Sequence, residues 1–290
     1  MVLTGASVVW IFARYRQCAR AKILNPKRIS NQKLAASNSA IAHKRPSKNL
    51  SIFRFIKNNY STLTYYDTIG IMIDYSATLS EIWRHADVSA IGARDASDLV
   101  AAATRAIKID TKYVLVDDVN VPTIWPWLER SPLELIAEVK SAKKKSDAVA
   151  LDLAEKISSV LRRGAAGVAV VGRPVELVPV LMPVRDDLFF GKKLFFIIDL
   201  QKTEPLDWLD IWTNLAQIRS DGIIIRDVGG RADADDVAGR IFGMLDTMPD
   251  DFSGMLMFDI QSMFIMEIAY RLVQKARPTI AQNLRFFIKA

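Results

Sequence analysis

From residue 69 onward, apolar runs of four to seven residues alternate with longer stretches of helical period. Runs of this kind at 69–73, 113–116, 133–139, 167–171, 194–198, 222–225, 255–258 and 284–288 predict eight strands. They are rich in Ile, Leu, Val and Phe without strict alternation, as expected where both faces of a strand are buried. Between them, 78–85, 95–107, 148–163, 208–218, 234–245 and 263–275 carry the spacing of amphipathic helices. In 95–107, for example, Leu99, Val100, Ala103 and Ile107 share one face. Gly164 stands just past the end of the 148–163 helix, a usual stop position. Trp125-Pro126-Trp127 reads as a Pro-bounded loop after the second strand.

Strands that alternate with helices imply parallel βαβ units, and eight such units in about 225 residues fit a (β/α)8 TIM-type barrel. A doubly wound open parallel sheet is the competing architecture. Val88 to Gly92 is a further short strand candidate, which would change the count. The domain so predicted spans residues 67–290.

Charge divides the chain differently. Of 39 Lys and Arg, twelve lie before the first acidic residue, Asp67. Removing those twelve leaves 27 basic against 32 acidic residues, so 67–290 carries −5 although the whole chain carries +7. Residues 1–66 are basic, acid-free and rich in Ser and Asn. They resemble an organellar transit peptide, with a disordered basic arm as the alternative. The expected location is therefore the mitochondrion or another organelle, or the cytoplasm if the segment is an arm. The acidic body argues against nucleic acid as a partner. No apolar run reaches the roughly 18 residues of a membrane span. Cys18 is the single cysteine, and the two histidines are His43 and His85. Disulfides, multi-Cys zinc sites and a Ser-His-Asp triad are thereby disfavoured.

In a parallel barrel the C-terminal strand ends share one face, and active sites form there. This chain puts polar residues at nearly every such end: Asp74, Asp117 and Asp118, Glu138 and Lys140, Arg173, Asp199 and Lys202, Arg226 and Asp227, Asp259 and Gln261, and Lys289. Helix capping is the competing explanation for any single carboxylate, Asp227 and Asp259 in particular. Glu138 and Lys140 stand at i and i+2 of one strand, so both point to the same side and can form an acid–base pair. The chemistry open to such a pair is proton transfer beside a carbonyl, decarboxylation, or Schiff-base formation at a desolvated lysine. The expected catalytic set is Glu138, Lys140, Asp199, Asp74 and Asp259. The expected binding set for a small anionic substrate is Lys143, Lys202, Arg173 and Arg226. Lys143 belongs to the 140–146 loop, a positive lip on that face. No diagnostic metal-ligand spacing surrounds the aspartates, so neither a metal nor a cofactor is predicted.

The run Ala137-Glu138-Val139-Lys140, followed by a helix and then Gly164-Ala165-Ala166-Gly167 and an apolar strand, resembles the Asp-x-Lys region of the ribulose-phosphate-binding barrel superfamily. Hexulose-phosphate synthases and orotidine-phosphate decarboxylases belong to it. Ala-Glu-Val-Lys-Ser-Ala is also similar to the first strand of indole-glycerol-phosphate synthases, in which that lysine is a general acid. The resemblance covers about 40 residues and implies a barrel of the lyase, aldolase or decarboxylase type. The chain departs from the pattern at Lys143, where the decarboxylases carry a second Asp. It also departs at Asp259-Ile260-Gln261-Ser262, where the superfamily has a Gly-rich phosphate turn. Gly229-Gly230-Arg231 is the remaining Gly-rich candidate. The alternative function is an inactive barrel serving as an accessory subunit of an organellar complex, and a homo-oligomer is compatible with either reading.

Overall fold

The structure is a computed structural model that describes residues 65–66, 72–73, 75–141, 147–226 and 234–289. The chain divides into two units, Met1–Ser76 and Ala77–Ala290. In the first, Tyr65–Tyr66 and Met72–Ile73 form a two-residue antiparallel pair. The basic arm expected within 1–64 lies outside the described residues.

The second unit is a closed, wholly parallel eight-stranded barrel. Its strands are β1 (Ala86–Ser89), β2 (Tyr113–Asp117), β3 (Glu134–Lys140), β4 (Gly167–Val171), β5 (Lys193–Asp199), β6 (Gly222–Arg226), β7 (Met255–Asp259) and β8 (Arg285–Lys289). Closure is made by β8, which pairs with β7 on one side and with β1 on the other. An open doubly wound sheet is thereby excluded.

The predicted first strand at 69–73 is not part of the barrel; β1 takes its place. The strand candidate Val88 to Gly92 overlaps β1 at Val88 and Ser89, while Ala86 and Asp87 fall outside it because a carboxylate interrupts the run. The fold accommodates Asp87 by pairing it. Its oxygens accept hydrogen bonds from the backbone N–H groups of Lys112 and Tyr113 and from two nitrogens of Arg285.

The principal helices are α1 (Tyr75–Arg84), α2 (Ala96–Lys108), α3 (Val121–Leu128), α4 (Asp147–Arg162), α5 (Pro174–Leu181), α6 (Asp207–Gln217), α7 (Ala234–Thr247) and α8 (Met263–Ala276). Local chemistry starts and stops them. Asp95 caps α2 by accepting from Asp98 N, and Arg105 and Lys108 occupy its last turn. Ser262 caps α8 by accepting from Ile265 N. The 121–128 segment, expected as a loop, is helix α3. Pro122 sits in its first turn, where its missing N–H is tolerated, and Val121, Ile124 and Leu128 form a buried stripe. Gly164 ends the α4 segment with φ +108°, and a Cβ there would meet the Trp125 ring at 2.4 Å. Only glycine fits both the backbone angle and that contact.

Two apolar regions hold the barrel. The larger lies between strands and helices and includes Trp208, Trp212, Phe196 and Phe258. The smaller fills the barrel itself with Tyr113, Leu115, Ile136, Ala169, Phe195, Ile197, Ile224, Met257 and Phe287. The barrel is a packed core and not a pore. Polar side chains of inward-facing positions are therefore confined to its two ends. Among the described residues no helix is long and apolar enough to cross a membrane.

Candidate active site

At the C-terminal mouth, strand register sets the site. Asp117 of β2 is level with Glu138 of β3, and Arg226 of β6 lies between Asp199 of β5 and Asp259 of β7. Glu138 and Arg226 are 88 residues apart in sequence, yet Arg226 donates to Glu138 Oε2 at 2.6 Å across the barrel. The same guanidinium donates through Nε to Asp259 Oδ2 at 2.7 Å. On the other side, Lys140 Nζ lies 3.3 Å from Glu138 Oε1 and 3.6 Å from Asp117 Oδ1. The result is one chain of opposite charges: Asp117, Lys140, Glu138, Arg226, Asp259.

The members differ in exposure. The Glu138 side chain is fully buried, those of Arg226 and Asp259 are nearly so, and that of Lys140 is 64% exposed. Glu138 Oε1 is buried and makes no well-aligned hydrogen bond, so its attraction to the Lys140 ammonium is chiefly electrostatic. Burial works to lower the Lys140 pKa, but the Glu138 and Asp117 carboxylates outweigh it and raise it. Arg226 is likewise raised, its two carboxylates overcoming desolvation. Asp259 moves the other way relative to its charge. Burial pushes its carboxyl above the usual aspartate value, and Arg226 offsets this in part. Lys140 is thus held as an ammonium, while Asp259 is moved toward the range useful for accepting a proton.

A pocket of about 250 Å³ opens on the β6–β7–β8–β1 side of the mouth. Arg226, Asp259, Gln261, Ser89 and Lys289 supply its polar wall, and Ile91 and Phe287 are among its apolar residues. Asp117 ties the pocket to the ion-pair chain. Its Oδ2 accepts from Gly92 N at 2.8 Å, which anchors the loop that carries Ile91. Gly92 takes φ +77° at that turn.

Four of the expected site residues, Glu138, Lys140, Arg226 and Asp259, therefore meet in one network. Asp199 does not join it by a direct bond. Its Oδ1 accepts from Gln201 N, capping the short 3-10 turn Leu200–Lys202, and its Oδ2 pairs with Lys202 at 2.6 Å. Arg173 pairs with Asp207 at the start of α6 and is well exposed. Asp74, Asp227, Lys143 with the rest of the 142–146 loop, and the Gly229-Gly230-Arg231 turn lie outside the described residues. Asp117, Ser89 and Lys289 were absent from the expected set. Asp117 and Lys289 are strand-end polar residues like those chosen; what distinguishes them is contact with Lys140 and the pocket, which no local pattern encodes. Among the described residues, no group of three or more His, Cys, Asp or Glu is gathered to hold a metal ion.

No protein-family model matches the chain. No curated protein matches its sequence. Solved structures do match. QR15, an aldolase, aligns with a TM-score of 0.52 at 8% identity over 71% of this chain and 90% of that one. The tetrameric deoxyribose phosphate aldolase from Aeropyrum pernix aligns with a TM-score of 0.53 at 10% identity over 75% and 94%. The chain shares their barrel fold. At this level of identity the likeness extends to architecture and not to chemistry.

Proposed function

We propose that the chain is a lyase of the aldolase type acting on a small anionic metabolite at the mouth of the barrel. The observation that carries the reading is the buried Glu138, which binds Lys140 on one side and, on the other, Arg226, itself paired with Asp259. The aldolases among the structural neighbours and the resemblance of Glu138-Val139-Lys140 to acid–base strands of other barrels support the same class.

In this reading the roles follow from electrostatics. A Schiff-base lysine needs a lowered pKa to attack a carbonyl as the free amine. Lys140 is shifted upward and acts instead as a proton donor, kept charged by Glu138. Asp259, raised by burial, is the base. On a β-hydroxy carbonyl substrate, Asp259 takes the hydroxyl proton and the O–H electron pair becomes the new C=O. The C–C bond breaks and its electron pair forms an enolate, which takes a proton from Lys140. Two carbonyl products leave, and solvent returns the proton from Asp259 to Lys140. Arg226 and Glu138 hold the two groups in place.

A second reading, an inactive barrel in an accessory role, is favoured by one fact: every member of the ion-pair chain already has a partner, and structural networks also perturb pKa values. Lys140→Met separates the two. The lyase reading expects the purified full chain to cleave a short β-hydroxy carbonyl acid, followed by NMR. The variant should lose at least about a hundredfold in turnover with its melting temperature nearly unchanged. A variant as active as the parent, or a parent inert toward the whole substrate class, would sink the lyase reading.

A further inference from the structure

The pocket beside Asp259 has an unequal charge balance that points to the kind of anion it takes. Of its two cationic wall residues, Arg226 is already occupied by Glu138 and Asp259. Lys289, at the end of β8, makes no ion pair with any described residue, and its side chain is on the exposed rim. Its position is fixed through the backbone, since Arg105 donates to the Lys289 carbonyl at 2.9 Å. Facing that cation in the same pocket is the Asp259 carboxylate. One uncommitted positive charge beside one fixed negative charge suits a ligand with a single negative charge. A dianion would gain one partner and be repelled by the other.

Size and polarity narrow the class further. At about 250 Å³ the pocket is below the range of drug-sized sites. Ile91 and Phe287 offer apolar surface to a short carbon chain, and the Ser89 hydroxyl and Gln261 amide offer hydrogen bonds to an oxygen substituent. We propose that this pocket binds a short-chain hydroxy or oxo monocarboxylic acid, with its carboxylate on Lys289, a hydroxyl donating to Asp259 and a carbonyl oxygen accepting from the Ser89 hydroxyl or the Gln261 amide. The assignment deepens the lyase reading and rests on it for the claim that the bound acid is the substrate.

Isothermal titration calorimetry on the full chain tests it, with 3-hydroxybutyrate and pyruvate as monoanions and glycerol 3-phosphate and inorganic phosphate as the contrasting ligands. The expected result is measurable binding of at least one monocarboxylate, tighter than either phosphate. Lys289→Gln should weaken that binding about tenfold or more, the value of a charge-assisted hydrogen bond to a carboxylate. Tighter binding of a phosphate, no binding of either acid, or binding indifferent to Lys289→Gln overturns the assignment. Lys140→Met distinguishes this failure from that of the lyase reading. If the acids bind through Lys289 but 4-hydroxy-2-oxopentanoate, a β-hydroxy ketone of the same acid class, is cleaved by neither parent nor variant, the pocket stands and the lyase falls. If a phosphate ester is cleaved in a Lys140-dependent way, the lyase stands and the monocarboxylate is wrong.

Discussion

Two fully buried carboxylates, one at each end of the barrel, are treated in opposite ways by the fold. Asp87 at the N-terminal floor accepts four hydrogen bonds, two from backbone N–H groups and two from Arg285, at 2.7–2.9 Å. That fills the acceptor capacity of a carboxylate. Glu138 at the mouth has one oxygen held by Arg226 and the other without a well-aligned hydrogen bond, beside an ammonium that is largely in solvent. Saturation and connection to the main chain make Asp87 a pin between β1, β2 and β8. Incomplete saturation leaves Glu138 with an unfilled acceptor oxygen beside an exposed cation and an adjoining pocket. Burial of a charge is common to both ends; what separates structure from candidate chemistry is whether any valence is left over.

Asp87→Ala should break this comparison most visibly. The substitution leaves the Arg285 guanidinium and two backbone N–H groups buried without their acceptor. Removal of one partner from a buried pair destabilises by about 3–5 kcal/mol. Urea denaturation measures it, and a loss below about 1 kcal/mol would show that Asp87 is not a pin. The mouth should remain competent in whatever fraction stays folded, since the polar partners of Asp87 are Lys112, Tyr113 and Arg285, none of them in the mouth network.

The same contrast explains what could be read from the residues in order. Strands β2 to β8 were legible because a mostly apolar run has few other places to go, and their ends located the mouth of the barrel. Strand β1 was legible only in part, as the candidate Val88 to Gly92, because Asp87 looks disqualifying until Arg285, 198 residues later, is known to neutralise it. Helix α3 was hidden by two prolines, Pro122 in the first turn, which tolerates it, and Pro126 inside the helix. At the mouth, the pairing of Glu138 with Lys140 was visible from their spacing, but the bonds of Arg226 to Glu138 and Asp259 were not. Arg226, expected to bind the substrate, lines the pocket and is also held by those two carboxylates. Asp199 looked like a free carboxylate and caps its own turn. Local sequence encodes side-chain type and facing; the partner across a closed barrel depends on register and curvature, to which distant residues contribute.

Asp259→Asn sharpens the functional half of the comparison with an effect of intermediate size. Because burial raises the Asp259 pKa, the stability linked to its protonation is fully present below the usual 3.8 and is lost as pH rises through the folded value. At neutral pH the ionised group is therefore a liability, relieved by the neutral isostere. The variant should be as stable as the parent or more so at pH 7, by no more than about 1 kcal/mol, and the difference should vanish in acid. Turnover should behave oppositely. The parent should lose rate on the acid side at a pH above the ordinary aspartate range, and the variant should lose about a hundredfold or more and that acid limb with it. A variant that keeps both rate and limb would remove Asp259 from the base role.

The smallest expected effect comes from the floor's other ion pair. Lys193 Nζ reaches Glu134 and also donates to the Tyr113 hydroxyl at 3.0 Å. Burial works to lower its pKa, but Glu134 and Tyr113 prevail and raise it. The stability this pair contributes is therefore fully present below the usual 10.5 and is lost as pH rises through the folded value. Both side chains keep over a quarter of their surface in solvent, so water screens the attraction and Lys193→Met should lose about 1 kcal/mol or less at pH 7. Its denaturation midpoint should approach that of the parent above pH 10.5. A loss as large as that of Asp87→Ala would mean that partial exposure does not weaken an ion pair at this end of the barrel. The distinction between a saturated pin and an ordinary surface pair would then have to be redrawn around Tyr113, which gives its backbone N–H to Asp87 and accepts at its hydroxyl from Lys193.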